Sequence, residues 1–123
     1  MSERPLVCLV DDDESVRESL PDLLWEFGFE VRPFSYANAF LSSDCLARCE
    51  CLILDIAMPE MTGPDLQREL KRRGRDIPIV FVTAHVDERV RQRVLEQGAV
   101  ACLYKPFSQA DLLAALHAAF PPQ

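Results

Sequence analysis

Several residues able to bind a cation or an anion stand at the ends of apolar runs in this sequence. The run LVCLV (Leu6–Val10) ends in three aspartates and a glutamate, Asp11 to Glu14. Further along, CLILD ends in Asp55, IVFVT ends in Thr83, and VACLY is followed by Lys105. Two adjacent carboxylates about 4 Å apart repel by about 1 kcal/mol in bulk water and about 4 kcal/mol at the effective dielectric of a protein surface. Either something positive belongs there or the acids are splayed into solvent. Asp11, Asp12 and Asp55 carry three negative charges, Lys105 returns one positive charge, and one divalent cation makes the set neutral. Oxygen-only ligands on a compact site favour Mg²⁺, which keeps several waters and often bridges a carboxylate to a phosphoryl group. Asp13 and Glu14 read instead as the solvated first turn of a helix.

These residues meet only if the segments carrying them lie side by side. Leu6–Val10, Cys51–Asp55, Ile79–Thr83 and Val100–Tyr104 are short and apolar at successive positions, the pattern of strands buried on both faces of a parallel sheet. A fifth candidate, FEVRPFS (Phe29–Ser35), alternates and contains Pro33, which cannot donate to a ladder and so belongs at an edge. Helical patterns lie between. Leu112, Leu113, Leu116 and Phe120 form one stripe, and Val86, Val90 and Val94 recur at four-residue steps. Gly28, Gly74 and Gly98 each follow a helical pattern, where a left-handed residue ends a helix, and Gly63-Pro64 suits a helix start. Pro21 falls inside the first helix and is expected to bend or interrupt it.

The order is β-α repeated five times, which predicts an α/β fold with a doubly wound five-stranded parallel sheet, order 2-1-3-4-5. In such a sheet ligands bind at the carboxyl ends of the strands near the switch point, where Asp11, Asp12, Asp55, Thr83 and Lys105 all fall. Residues 1–120 read as one domain. The closing PPQ, residues 121–123, reads as a tail or the start of a linker to a further output domain.

With 123 residues, roughly half of them apolar, the chain is long enough for a core of its own. The net charge of −7 argues against binding nucleic acid through a basic face. No apolar run is long enough to span a bilayer, and the N-terminus lacks a signal-peptide pattern, so a cytoplasmic location is expected. Five cysteines, an odd number, fit reduced thiols in the core. Cys45, Cys49 and Cys51 lack the paired spacing of a zinc site. The run KRRGR (Lys71–Arg75) reads as the cationic end of the third helix rather than a nucleic-acid patch. His117 reads as a surface residue.

The acidic pair Asp11-Asp12, LDIAMPEMTG around Asp55, VTAH around Thr83 and YKPF around Lys105, in that order and over essentially the whole chain, resemble the receiver domains of two-component response regulators. The GAVACLYKPF ending looks most like the FixJ-type branch. The resemblance implies a flavodoxin-like (βα)5 fold and a phosphoacceptor regulator rather than an enzyme, with self-catalysed phosphotransfer and dephosphorylation. In such domains Asp55 would accept a phosphoryl group from a sensor histidine kinase. Asp12, Asp55 and the backbone carbonyl of Ala57 would ligate Mg²⁺, with Asp11 acting through a water. Lys105, typically followed by a cis peptide to Pro106, would pair with the phosphoryl oxygens, and Thr83 would hydrogen-bond them. The resemblance further implies a weak or phosphorylation-dependent homodimer through the face of the fourth helix, fifth strand and fifth helix. DNA would be reached only through a separate output domain controlling transcription.

Many receivers carry an aromatic three positions before the lysine, coupled to the threonine; this chain has Cys102 there, with Tyr104 nearby on the same strand face. Ala57 and His85 occupy the two flanking positions that influence phosphate lifetime in the family. Ala57 offers no side chain to an attacking water, and His85 either touches the phosphoryl group or a kinase, or faces solvent. The alternative to the switch is a receiver-like interaction domain that never accepts phosphate. An aspartyl-nucleophile hydrolase resembling the haloacid dehalogenases calls for a second aspartate at position 57, which is alanine. A nucleotide-binding fold needs a glycine-rich first loop where DDDES stands.

Overall fold

Three of the apolar runs are buried along their whole length: β1 (Leu6–Val10), β3 (Cys51–Asp55) and β4 (Ile79–Thr83). Each packs helices on both of its faces, so both sides are apolar up to the carboxyl ends, where Asp55 and Thr83 stand. β2 (Glu30–Phe34) and β5 (Ala101–Tyr104) complete a wholly parallel sheet of order β2-β1-β3-β4-β5. This is a computed structural model, and residues 4–120 are described. The expected tail at 121–123 lies outside them. Pro33 sits on the edge strand β2, as its missing donor requires. β5 is the other edge, as the order 2-1-3-4-5 predicts, but three of its four residues are only half-buried, where the apolar run suggested burial on both faces.

Alternate strand residues feed two cores. Val7, Leu9, Ile53, Val80 and Val82 face α1 (Glu14–Glu26) and α6 (Gln109–Ala119), where Leu20, Leu24, Leu112 and Leu116 close the layer. Cys8, Val10, Leu52, Leu54 and Phe81 face the opposite layer, with Phe40, Leu66, Leu70 and Val94. That layer holds α2 (Ala37–Leu41), α3 (Cys45–Arg48), α4 (Gly63–Arg72) and α5 (Glu88–Glu96). One helix is expected between β2 and β3, and two short ones stand there. Just past the end of α2 the Ser43 hydroxyl donates to the Phe40 carbonyl at 2.7 Å, the competition with helix geometry that serine typically offers.

The remaining punctuation follows side-chain chemistry. Asp13, Thr62, Asp87 and Ser108 cap α1, α4, α5 and α6 through their side-chain oxygens. Thr62 and Asp65 complete a capping box, Asp65 Oδ2 accepting from the Thr62 amide at 3.1 Å. Gly28, Gly74 and Gly98 have φ of 95°, 73° and 105° and end their helices as expected. α1 continues through Pro21, which removes one ladder hydrogen bond, having no N–H to donate, without ending the helix. Val86 is 76% exposed and precedes α5, leaving Val90 and Val94 as the inward stripe of that helix. Lys71 and Arg72 fall in the last turn of α4, and Arg72 and Arg73 pair with Glu69, which agrees with a cationic helix end. His117 is exposed, and all five cysteines are buried and free.

Candidate functional site

The carboxyl edge of the sheet gathers the residues singled out by type and spacing. Asp11 follows β1 and is fully buried; Asp55 ends β3 with only 4% of its surface exposed; Asp12 is exposed. One carboxylate oxygen from each lies within 4.8 Å of the others. Lys105 reaches in from the end of β5, its Nζ 2.8 Å from Asp11 Oδ2 and 4.0 Å from both Asp55 Oδ2 and Asp13 Oδ2. The Asp11 Oδ2 contact is an ion pair without hydrogen-bond geometry, for that oxygen is otherwise unsatisfied. Truncating one partner of such a buried pair typically costs about 3–5 kcal/mol, because a charge is left uncompensated. The Lys105–Pro106 peptide is cis, as the resemblance implies, and the Lys105 amide donates to the Thr83 carbonyl at 2.7 Å.

The loop between β3 and α4 shapes the other wall. Gly63, the first residue of α4, donates its amide to the Ile56 carbonyl at 2.9 Å. A Cβ on Gly63 would run into the Asp55 carbonyl oxygen and stand 2.9 Å from Phe81 Cε1, so only glycine fits against the end of β3. Met58 is buried, and Glu60 turns the chain in a left-handed conformation, φ 68°, while the Met61 amide donates to the Pro59 carbonyl at 2.8 Å. The Ala57 amide donates to Asp55 Oδ1 at 3.3 Å, which orients the carboxylate.

Burial first, and then the neighbouring Asp11 carboxylate, push the Asp55 carboxyl up to about 8, with Lys105 acting in the opposite direction. The donor set is all oxygen, and with all three acids ionised it carries more negative charge than one lysine offsets. That is the condition under which a hard divalent cation such as Mg²⁺ fits. A depression of about 220 Å³ opens over these groups, lined by Asp12, Asp13, Asp55, Ala57, Ala84, His85 and Lys105.

Thr83 is buried at the end of β4, in register with Tyr104. Its hydroxyl donates to the His85 carbonyl at 3.3 Å and accepts from the His85 amide at 3.1 Å, so it is engaged within its own loop. His85 is exposed at the mouth of the depression. Cys102 is buried on the α5 side of the sheet, and the Tyr104 hydroxyl lies 3.4 Å from Glu88 Oε2 on α5. Asp13 caps α1 as expected, accepting from both the amide and the hydroxyl of Ser15, which hold its carboxyl below the usual range.

Sequence reasoning missed Arg17. Its Nη1 donates to the backbone carbonyl of Asp11 at 2.9 Å. The only signal was an arginine one turn into the helix that follows the acidic run, which ordinarily reads as a solvated surface residue.

The response regulator receiver domain family model matches residues 7–117. The response regulator protein TodT of Pseudomonas putida is 42% identical over 120 residues, covering 97% of this chain and 53% of TodT. The transcriptional regulatory protein FixJ of Azorhizobium caulinodans is 36% identical over 118 residues, covering 96% of this chain and 56% of FixJ. Among solved structures, the response regulator StyR is similar at 45% identity and a TM-score of 0.85 over 93% of this chain and 58% of that one. The FixJ-N structure is similar at 33% identity and a TM-score of 0.83, over 97% and 94%. FixJ is thus one of several similar relatives, and the chain spans about half the length of the curated relatives it matches. A match along nearly the whole length, on a sheet order and an acidic edge already reached from the residues, makes this chain a member of the response regulator receiver domain family.

Proposed function

We propose that this domain is the phosphorylation switch of a two-component system, with Asp55 accepting a phosphoryl group from a sensor histidine kinase. The observation that carries this reading is Asp55 itself: a buried carboxylate at the floor of a small open depression, 4.0 Å from the only lysine at the site. A carboxylate oxygen of Asp55 attacks phosphorus, and the bond from phosphorus to the kinase's imidazole nitrogen breaks, its electron pair staying with the nitrogen. Such transfers ask a protein mainly for positioning and charge neutralisation.

Asp12, Asp55 and the Ala57 carbonyl are the groups to hold Mg²⁺, with Asp11 assisting through a water. The cation, when bound, offsets the negative charge of the phosphoryl oxygens. Lys105 supplies the second positive charge, and the Thr83 hydroxyl, released from His85, donates to a phosphoryl oxygen. His85 and Ala57 flank the acceptor and govern access of water, hence the self-catalysed loss of the phosphoryl group.

The relay runs from Thr83 through the loop before α5 to the face of α5, β5 and α6, the surface proposed for a homodimer. The name of FixJ, a transcriptional regulatory protein, supports a transcriptional output; a separate DNA-binding domain joined after residue 120 and a cytoplasmic location belong to the same proposal. No helix among the described residues is long and apolar enough to cross a membrane.

Intact-mass measurement after incubation with acetyl phosphate tests the reading. A phosphoryl increment that requires both Mg²⁺ and Asp55, and is absent from Asp55→Asn, is the expected result. Mg²⁺ binding with no increment from acetyl phosphate or from a histidine kinase would overturn it in favour of an interaction domain.

A further inference from the structure

We propose that Arg17 is a positioning residue for the acidic site, holding the peptide between Asp11 and Asp12 so that both carboxylates aim at the cation; this rests on the phosphorylation-switch reading. Asp11 is held at each of its polar groups. Its amide donates to the Phe34 carbonyl of β2 at 3.1 Å, Oδ1 accepts from the Asp13 amide at 2.9 Å, and Oδ2 faces Lys105. Its carbonyl lies one residue beyond Val10, the last residue of β1 paired to β2 and β3, so the sheet offers it no donor. Arg17 Nη1 is the donor it finds among the described residues. That carbonyl shares one rigid plane with the Asp12 amide, so fixing the one fixes the orientation from which the Asp12 side chain departs.

The sign of the effect separates positioning from charge. Considered only as a positive charge beside three carboxylates, Arg17 repels a divalent cation, and removing it tightens Mg²⁺ binding. Considered as the clamp on the Asp11 carbonyl, its removal loosens the turn and weakens binding, in the way that loss of groups supporting metal ligands does.

The test uses the full chain, Arg17→Met and Arg17→Lys, with two readouts: the Mg²⁺ dissociation constant by titration calorimetry, and the backbone amide resonances of Asp12 and Asp13 in chelator. The expected result is a loss of about tenfold in Mg²⁺ affinity for Arg17→Met. The Asp12 and Asp13 amides should be displaced or broadened, and Arg17→Lys should recover part of both effects. Tighter or unchanged Mg²⁺ binding by folded Arg17→Met overturns the proposal, whatever the amides do. Should wild type itself bind no Mg²⁺, the cation part of the switch reading fails on its own. The amides then decide: displaced signals support the clamp, and unchanged signals overturn it. If Arg17→Met does not fold, Arg17→Gln carries the same comparison.

Discussion

Asp55 is held in an environment that resists its own charge. Its carboxyl, raised from 3.8 to about 8, is worth most to the folded state when protonated. The contribution is full below the unfolded value and is lost as pH rises through about 8, because the folded state then carries a buried charge beside Asp11. Without divalent cations, the protein is therefore expected to lose on the order of a few kcal/mol of stability between pH 4 and pH 9. Asp55→Asn should flatten that decline and melt higher than wild type at pH 8. Denaturant unfolding across the pH series checks both. Mg²⁺ should raise the wild-type melting temperature at pH 8 and leave Asp55→Asn nearly unmoved. The acids themselves were legible in the sequence because their type and their place at strand ends carry the signal. Arg17 was not, because it acts on a backbone carbonyl that every residue possesses and no letter marks.

At the level of elements, the junction between β3 and α4 is the tightest fit near the site. Gly63→Ala forces a methyl group toward the Asp55 carbonyl and the Phe81 ring, and overpacking of that kind costs about 1–3 kcal/mol. A lower urea midpoint at unchanged slope, together with slower phosphorylation by acetyl phosphate, is the expected outcome. An alanine that left both unchanged would show that the loop yields. The sequence anticipated Gly63 as a helix start but not its contact with the end of β3, since that approach is set by tertiary packing. The fully buried strands were readable because two covered faces demand unbroken apolar runs. The split between α2 and α3 was not, because no apolar period marks it; a serine hydroxyl turned back to the Phe40 carbonyl accompanies it. The four-residue step at Val86 was likewise misleading. Asp87 caps α5 one residue later and leaves Val86 in solvent.

Across the whole molecule, the sheet holds the acidic edge and the α5-β5-α6 face on one frame. That face carries a shallow groove of about 370 Å³ lined in part by Glu88, Arg91, Cys102 and Tyr104. The half-buried β5 and the Tyr104–Glu88 contact make it the surface most directly tied to Thr83, whose strand partner is Tyr104. Sedimentation velocity should show a larger species when a phosphoryl mimic and Mg²⁺ are added, and Tyr104→Ala should reduce it. An identical monomer mass in both states would remove the dimer from the proposed relay. The order 2-1-3-4-5 was readable from the β-α alternation and the edge proline, since right-handed crossovers leave few arrangements.

The five buried thiols give the fold a chemical clock. A thiol reagent can modify each only when the structure around it opens, so labelling under native conditions times that opening residue by residue. Cys49, at the end of the short α3 and with its thiol held below the usual range by the hydrogen bond to Cys8, should be labelled first, and Cys102, enclosed on the edge strand with its thiol raised by burial, later. Cys51, fully enclosed on a central strand, should be labelled only at the rate of global unfolding. Mass-resolved labelling with and without a phosphoryl mimic would then report how far the mimic loosens the molecule, with no residue substituted.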